Sequence, residues 1–250
     1  MRKFFSSNMP CKAGCKYCFA KWENIYSEFP RLESEKINEK ESIIYPCCDG
    51  DFFSQKELID NMRNIAAKSE KVYFSISTKF SIIDEEIDII SKFNDELISQ
   101  NKGFVKLAIS LSNISMINEI EPGTSSYTER LQLAEKLFRT RLLFAVTIKP
   151  ILPFVPIEEY YKIMDDFSKY TKYFLIGGLY INKKSTFYSQ YIKPETPVNR
   201  RIVEWLPEHP DWDYIQDEKQ FKLIRKYAKK NGLYIFDSDV DLIKFDITKR

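Results

Sequence analysis

The chain has 250 residues, of which 44% are hydrophobic and 30% charged, and its formal net charge is +2. This composition supports a packed core and argues against disorder, and the balanced charge gives no electrostatic reason to expect a nucleic-acid or membrane partner, although a local basic groove can hide in a balanced total. The sequence has no run approaching 18 apolar residues and opens on MRKFFSSNMP, which lacks the apolar run of a secretory signal, so we expect no membrane span.

Seven strand-like runs are predicted in chain order, at residues 3–6, 42–45, 71–77, 104–111, 142–149, 173–180 and 233–236. Five helical patterns separate or follow them, at residues 55–68, 83–94, 127–140, 157–168 and 217–231. Two of these helices begin with a capping-box pattern, Ser54 with Glu57 and Ser126 with Glu129. Gly232 fits the capping position after the last helix.

The first six strands begin at intervals of roughly 30 to 40 residues, the spacing of repeated βα units with right-handed crossovers. This pattern predicts an α/β fold whose parallel sheet curls toward a barrel, with a doubly wound sheet as the alternative. The repeat breaks down after Tyr180, where prolines become frequent. We therefore predict a single domain made of a partial barrel, residues 1–182, and a C-terminal extension, residues 183–250, that packs on it.

Several familiar catalytic patterns are absent from the sequence. His209 is the only histidine, which disfavours Ser-His-Asp and Cys-His nucleophilic sites and excludes HExxH. Neither GxGxxG nor GxxxxGK[ST] occurs, so the usual phosphate-binding loops are missing. The five cysteines are odd in number and clustered, which argues against a disulfide framework and predicts a reducing, cytoplasmic location.

The stretch CKAGCKYC places Cys11, Cys15 and Cys18 directly after the first predicted strand, at the edge of the sheet where chemistry gathers in βα folds. Unligated thiols seldom cluster so tightly. A structural zinc site needs four protein ligands, so Cys47 or Cys48 would have to complete it. A [4Fe–4S] cluster held by three thiolates leaves one iron open for a substrate or cofactor, and we favour this interpretation.

The spacing of these cysteines, with Tyr17 before the last, resembles the CxxxCxφC signature of the radical SAM superfamily. The resemblance implies a partial (β/α)6 TIM-like barrel in which Cys11, Cys15 and Cys18 hold one [4Fe–4S] cluster. It further implies that S-adenosyl-L-methionine (SAM) binds the open iron and is cleaved reductively to a 5′-deoxyadenosyl radical. A one-electron reductant such as flavodoxin or ferredoxin is implied as a partner. Tyr17 would lie near the SAM adenine, or would simply pack against the strand edge.

Three further stretches are most similar to the spore photoproduct lyase group of that superfamily: SISTK at 75–79, AISLSN at 108–113 and EPGTSSYTERL at 121–131. The likeness suggests Lys79 and Arg130 as cations for the SAM carboxylate, Ser77 and Ser110 as hydroxyls near its methionyl or ribose portion, and Glu121 as an acceptor for ribose hydroxyls. The alternatives are a solvated lysine, ordinary strand-end serines, and a salt bridge between Arg130 and Glu121 or Glu129.

The second strand ends in YPCCDGDFF, where the superfamily often has a Gly-Gly-Glu stretch that binds the SAM amino group. Asp49 or Asp51 would supply that carboxylate here. The sequence from Cys48 to Asp51 also resembles a Cys-x-x-Asp of spore photoproduct lyases, whose cysteine returns a hydrogen atom to the product radical. Because neighbouring strand residues face opposite ways, we predict that Cys48 rather than Cys47 points inward and is catalytic, with a buried structural cysteine as the alternative.

The sequence as a whole predicts a radical SAM enzyme of lyase or oxidoreductase type that abstracts a hydrogen atom from an organic substrate. The substrate would lie near Cys48 and the rim residues Asn113, Lys149, Tyr180 and Asn182. The resemblance to the spore photoproduct lyase group suggests a nucleic-acid base or lesion as substrate. Basic residues interleaved with aromatic ones at 183–201 offer some support, although a lysine-rich solvated surface is the favoured explanation of that stretch. A peptide or small metabolite is the alternative substrate, and a zinc-stapled nucleic-acid-binding module without catalysis is the alternative function.

Overall fold

The computed structural model describes residues 2–6, 11–20, 41–54, 58–203 and 211–248. Its strands are β1 (Arg2–Phe4), β2 (Glu41–Tyr45), β3 (Lys71–Thr78), β4 (Gly103–Leu111), β5 (Leu143–Ile148), β6 (Tyr173–Ile176), β7 (Leu179–Tyr180), β8 (Asn199–Ile202), β9 (Asp211–Ile215) and β10 (Tyr234–Phe236). Its α-helices are α1 (Leu58–Lys68), α2 (Asp84–Ser99), α3 (Ile117–Ile120), α4 (Tyr127–Phe138), α5 (Ile157–Phe167), α6 (Thr186–Tyr191), α7 (Glu218–Lys230) and α8 (Asp239–Ile247).

A seven-stranded parallel sheet forms the centre of the fold, in the order β1-β2-β3-β4-β5-β6-β10. The predicted α/β class and its parallel sheet are confirmed, and over the described residues the sheet stays open rather than closing into a barrel. A small antiparallel sheet, in the order β7-β9-β8, lies beside it. Strand β10 comes from the predicted C-terminal extension and pairs with β6 of the main sheet. The boundary predicted at residue 182 stays a prediction.

The run at 173–180, predicted as one strand, is divided between β6 of the main sheet and β7 of the small sheet. Gly177 and Gly178 occupy the break. A side chain at Gly178 would place its Cβ 2.4 Å from the Ile215 carbonyl oxygen, so only glycine lets the two sheets approach this closely. The chain therefore changes sheets at the glycine pair.

Local capping signals explain where two helices begin and end. At the start of α4, the Ser126 amide donates to the Glu129 carboxylate at 2.7 Å while the Glu129 amide donates to the Ser126 hydroxyl at 3.3 Å, as the sequence predicts. Gly232 follows α7 with φ +66°, and this left-handed conformation ends the helix as predicted. The other predicted box, Ser54 with Glu57, lies outside the described side chains.

The two faces of the sheet are covered differently. The outer face packs against α1, α2, α4 and α5, whose buried apolar residues join one large core. On the concave face, Tyr73, Phe104 and Leu143 pack against Leu242 and Ile243 of α8. Helix α8 thus fills the concave face near the amino ends of the strands and leaves space only at their carboxyl ends. Over the described residues, none of the helices is long and apolar enough to span a bilayer.

Candidate active site

A cavity of about 640 Å³ opens at the carboxyl ends of the parallel strands. Most of the predicted site residues line it: Cys11, Cys15, Tyr17, Cys18, Cys48, Asp49, Asp51, Ser77, Lys79 and Ser110. Glu121 and Arg130 do not line it and are almost completely buried behind it. The structure therefore brings the segments that follow β1, β2, β3 and β4 around one space, as expected for a repeated βα fold.

The cysteine loop is held in place by the segment before α4. The Lys16 amide donates to the Ile120 carbonyl at 2.9 Å, and the Gly123 amide donates to the Ala13 carbonyl at 3.0 Å. A Cβ at Gly123 would lie 2.3 Å from the Lys12 carbonyl oxygen, so glycine is required for this close contact. The EPGT stretch at 121–124 is therefore the support on which the cysteine loop rests.

The three cysteine thiols of this loop lie close enough to affect one another's pKa. Burial raises the pKa of Cys15 to about 12, Lys79 opposes that rise, and Cys18 and Cys11 add to it. Burial also raises the pKa of Cys11. Among the described residues, no three His, Cys, Asp or Glu side chains converge to hold a single metal ion. In a cubane each thiolate binds a different iron, so convergence on one point is not required, and three thiols on one cavity suit such a cluster.

Cys47 and Cys48 lie on different sides of the sheet, as predicted, although β2 ends at Tyr45 and both belong to the turn that follows it. Cys47 is buried in the large core on the helix side of the sheet, whereas Cys48 lines the cavity. The Cys48 amide donates to the Phe5 carbonyl at 3.0 Å, which ties the end of β2 to the end of β1. Burial raises the pKa of the Cys48 thiol, with neighbouring Asp49 adding to the effect. The catalytic role of Cys48 stays a prediction.

Two acidic residues follow Cys48 and are held by different donors. Asp49 accepts a hydrogen bond from the Ser6 hydroxyl. Asp51 accepts from the Lys79 amide at 2.6 Å, the Thr78 hydroxyl at 2.9 Å and the Phe53 amide at 3.1 Å. Burial raises the pKa of Asp51, and these hydrogen bonds oppose the rise. The carboxylate of Asp51 is thus oriented by β3 at the edge of the cavity.

Lys79 connects the cavity to a buried ionic network. Its Nζ donates to Glu121 Oε1 at 2.7 Å and to the Tyr17 hydroxyl at 2.9 Å. An ammonium group has three N–H donors, so the described partners engage two of them. Tyr17 itself donates to Glu121. The cysteine loop and the end of β3 are therefore cross-linked through a single carboxylate.

Behind this carboxylate lies Arg130, whose side chain is fully buried. Its Nη1 donates to Glu121 Oε2 at 2.8 Å and to the Ser110 carbonyl at 2.7 Å, and its Nε donates to the Ser125 carbonyl at 2.9 Å. The structure thus contains the salt bridge that the sequence offered as the alternative to SAM binding by Arg130. From this position, Glu121 and Arg130 influence a ligand through the cavity residues they contact, Lys79, Tyr17 and Ser110.

We expect the titration of Glu121 to lower the free energy of unfolding at acid pH. Burial alone would raise the pKa of this carboxyl, but Lys79 and Arg130, together with hydrogen bonds from Lys79 and Tyr17, lower it from 4.5 to about 2. A lowered folded-state pKa stabilises the fold above the unfolded pKa, and that contribution is lost as the pH falls from about 5 toward 2. We expect a loss on the order of 3 kcal/mol from this group.

Urea unfolding between pH 6 and pH 2.5 measures this effect. Glu121→Gln should flatten the dependence of the unfolding free energy on pH, because the titrating group is gone. Glu129→Gln is the matched control, since that carboxyl is exposed in the α4 capping box and should leave most of the dependence unchanged. Equal pH profiles for wild type and Glu121→Gln would contradict the assignment.

Several residues at or below the cavity were not predicted from the sequence. Tyr214 and Asp237 line it, and Lys106 lies beneath it in an ion pair with Asp239 of α8. The one available signal was Lys106 itself, a lysine inside the otherwise apolar run of β4, where a charge requires a partner. Nothing in the local sequence indicates that this partner lies 133 residues away.

Comparison with known proteins supports the assignment of the fold. No protein-family model matches the sequence, and no curated protein does either. Among solved structures, a spore photoproduct lyase variant with bound AdoMet and dinucleoside spore photoproduct has a TM-score of 0.64 at 15% identity, covering 90% of this chain and 73% of that one. Spore photoproduct lyase complexed with dinucleoside spore photoproduct gives 0.63 at 16% identity, with the same coverage. This chain has the fold of radical SAM enzymes.

A more distant radical SAM enzyme extends the comparison. SuiB from Streptococcus suis has a TM-score of 0.55 at 12% identity, covering 95% of this chain but only 48% of that one. The resemblance to the superfamily, and within it to spore photoproduct lyase, is confirmed at the level of the fold. Identities this low establish the fold alone, so cofactor, reaction and substrate are matters of proposal.

Proposed function

We propose that this chain is a radical SAM enzyme that abstracts a hydrogen atom from an organic substrate. The observation that carries the proposal is the joint position of Cys11, Cys15 and Cys18 on one cavity with Lys79 and Cys48, in a chain with this fold. Three thiols supply the ligands for a [4Fe–4S] cluster with one open iron. When bound, the cluster and SAM supply a reductive cleavage that yields a 5′-deoxyadenosyl radical.

The protein residues would bind and orient SAM. Lys79 uses one described N–H for Glu121 and one for Tyr17, which leaves its third donor for the carboxylate of SAM. Asp51 faces the same cavity with its carboxylate fixed by three donors, and it suits the SAM amino group. Ser77 and Ser110 lie on the cavity wall, where their hydroxyls suit the methionyl or ribose portion.

Two residues support Lys79 from behind rather than touching the ligand. Glu121 holds its ammonium group, and Arg130 compensates the second oxygen of that carboxylate. A lysine side chain that is already held in one position loses less conformational entropy on binding a carboxylate than a freely rotating one does. Glu121 and Arg130 therefore act as positioning residues in this proposal.

Cys48 is the proposed donor that returns a hydrogen atom to the substrate. It lines the cavity, and its S–H bond would break as the C–H bond of the product forms. The thiyl radical left on sulfur would be returned to the thiol by one electron from the reductant and a proton. A nucleic-acid base or lesion is the proposed substrate class. The bound dinucleoside in the two spore photoproduct lyase structures supports it.

Anaerobic reconstitution with iron and sulfide tests the proposed function. We expect a brown protein with about four irons and four sulfides per chain, which converts SAM to 5′-deoxyadenosine when a one-electron reductant is added. Deuterium should move from a labelled substrate into 5′-deoxyadenosine, and this transfer identifies the substrate among nucleic-acid, peptide and metabolite candidates. A colourless protein that retains zinc and no iron would instead support the zinc-stapled binding module.

A further inference from the structure

We propose that Lys149 and Arg201 form a binding site for an oxyanion of the substrate, a phosphate or a carboxylate, in the part of the cavity wall that the end of β5 and the small sheet supply. The inference rests on the proposed function, because it concerns the substrate of the same cavity, and it narrows that substrate to an anionic one.

Lys149 follows β5 on the concave face of the sheet, the same face as Ser77 and Ser110. It lines the cavity, and its Nζ donates to the Asp237 carbonyl at 2.9 Å. A carbonyl oxygen satisfies one N–H but does not neutralise the charge. The remaining donors of this ammonium group are therefore available on the cavity side.

Arg201 lies on β8 and reaches the cavity over two aromatic rings. Its guanidinium carbon lies 4.7 Å from the ring centroid of Tyr214 and 5.5 Å from that of Tyr180. Contact with the rings and a hydrogen bond to the Tyr214 side chain hold the guanidinium group, and its other N–H groups can bind a ligand. A planar fork held in this way suits an oxyanion, which it can bind through two parallel hydrogen bonds.

The charges around these two residues leave an excess of positive charge. Lys106, Lys149 and Arg201 act on one another, and Asp239 is the carboxylate that pairs with Lys106. Burial lowers the pKa of Lys149, Asp239 and Asp237 oppose that effect, and Lys106 and Arg201 add to it.

The two acidic residues that act on Lys149, Asp239 and Asp237, each form an ion pair with another cation. Asp237 pairs with Arg225. Over the described part of the chain, no carboxylate forms an ion pair with Lys149 or Arg201. A bound oxyanion would supply the missing negative charge.

The backbone is shaped to accept Lys149. A Cβ at Gly177 would lie 3.0 Å from the Cγ, Cδ and Cε atoms of Lys149, so the absence of a side chain there lets the lysine lie flat along the cavity wall. The Gly178 amide donates to the Tyr214 hydroxyl at 2.7 Å and thereby fixes the ring under Arg201. The glycine pair after β6 thus positions both cations.

Different segments supply the cysteines and the two cations. The ends of β1, β2 and β3 supply the cysteines, Asp51 and a Lys79 that is paired with Glu121. Lys149 follows β5, and Arg201 lies on the small sheet, whose Tyr180 and Trp212 pack in one cluster with Cys18 and Cys48. An oxyanion bound by the two cations would therefore hold the rest of the ligand in the same cavity as the cysteines.

Equilibrium dialysis of the reconstituted full-length protein, without SAM or reductant, tests this inference. The probes are thymidine 5′-monophosphate against thymidine, together with inorganic phosphate and acetate. We expect the monophosphate to bind roughly tenfold or more tightly than the nucleoside, and Lys149→Met and Arg201→Met to remove that advantage. Preference for phosphate or for acetate shows which oxyanion the site takes. Equal binding of monophosphate and nucleoside, with no measurable binding of either small anion, would overturn the inference.

Matched variants distinguish anion binding at this site from a general effect of positive charge on the protein. Arg200 neighbours Arg201 on β8, but Asp211 and Asp213 compensate its charge, so Arg200→Met should keep the preference. Gly177→Ala displaces only a flexible side chain and should fold yet weaken anion binding, which covers the case in which a charge variant fails to fold. Loss of the preference in Arg200→Met to the same extent as in Arg201→Met would contradict a specific site.

SAM binding distinguishes the two proposals. If Lys149→Met and Arg201→Met abolished SAM binding in a parallel dialysis against SAM while anion binding persisted, these cations would serve the cofactor and the inference would be wrong. Failure of the proposed function is detected separately, as absence of iron and of 5′-deoxyadenosine, because anion binding by side chains requires neither.

Discussion

Alanine at Cys15 is expected to give a folded, colourless protein that retains no stoichiometric iron and does not convert SAM to 5′-deoxyadenosine. Cys15 lies at the centre of the CKAGCKYC loop and is only 6% exposed. With two thiolates left, a [4Fe–4S] cluster would have two irons without a protein ligand and should be lost during reconstitution. The measurements are iron and sulfide content, visible absorption and the yield of 5′-deoxyadenosine, in which we expect a loss of at least about 100-fold.

Cys47→Ala is the control for this prediction. Cys47 follows β2 close to Cys48, is similarly buried at 9% exposure, and lies in the core rather than on the cavity. The variant should therefore keep its colour and its SAM cleavage. Full iron content in Cys15→Ala, or loss of iron in Cys47→Ala, would mean that other side chains hold the metal. The second result would favour a zinc-type site completed from β2.

Arg130→Met is expected to cause the largest loss of stability among single substitutions near the site, about 3 to 5 kcal/mol. Arg130 and Glu121 are both inaccessible to solvent, and removing the guanidinium leaves a buried carboxylate with Lys79 as its remaining cation. It also leaves the carbonyls of Ser110 and Ser125 without this donor. Urea unfolding at neutral pH measures the loss.

Arg139→Met is the matched control on the same helical segment. Its guanidinium is 74% exposed and pairs with Glu135 across one helical turn, a contact worth at most about 0.5 kcal/mol. Near-equal stabilities of the two variants would show that the buried network contributes little. If Arg130→Met folds, SAM affinity should fall as well, because Glu121 would then bind Lys79 in a different geometry.

Lys79 makes the stability of the network and the proposed binding of SAM interdependent. Its ammonium group lies between a buried carboxylate and the cavity, so each variant that disturbs Glu121 changes the position of the charge offered to a ligand. The two readouts can still be separated. Unfolding free energy reports on the whole network, whereas SAM dissociation constants measured on folded protein report on Lys79.

The sequence by itself determined the repeat of strands and helices, the parallel sheet, and the three cysteines after the first strand. These features follow from local patterns: apolar periodicity, capping residues and covalent spacing. The sequence also predicted that Cys48 rather than Cys47 faces the cavity, but β2 ends at Tyr45, so the turn after the strand and not strand alternation sets these two orientations.

Only the tertiary structure decided which charges meet. The sequence left two roles open for Arg130, SAM binding or a salt bridge, and in the structure Arg130 forms a salt bridge with Glu121 behind the cavity. Lys106 finds Asp239 on α8, and Lys149 comes near Arg201 of the small sheet. The physical reason is that a buried charge takes its partner from whichever segment packs against it. That choice depends on how distant elements fold together, whereas a strand, a cap or a cysteine triplet is encoded within a few neighbouring residues.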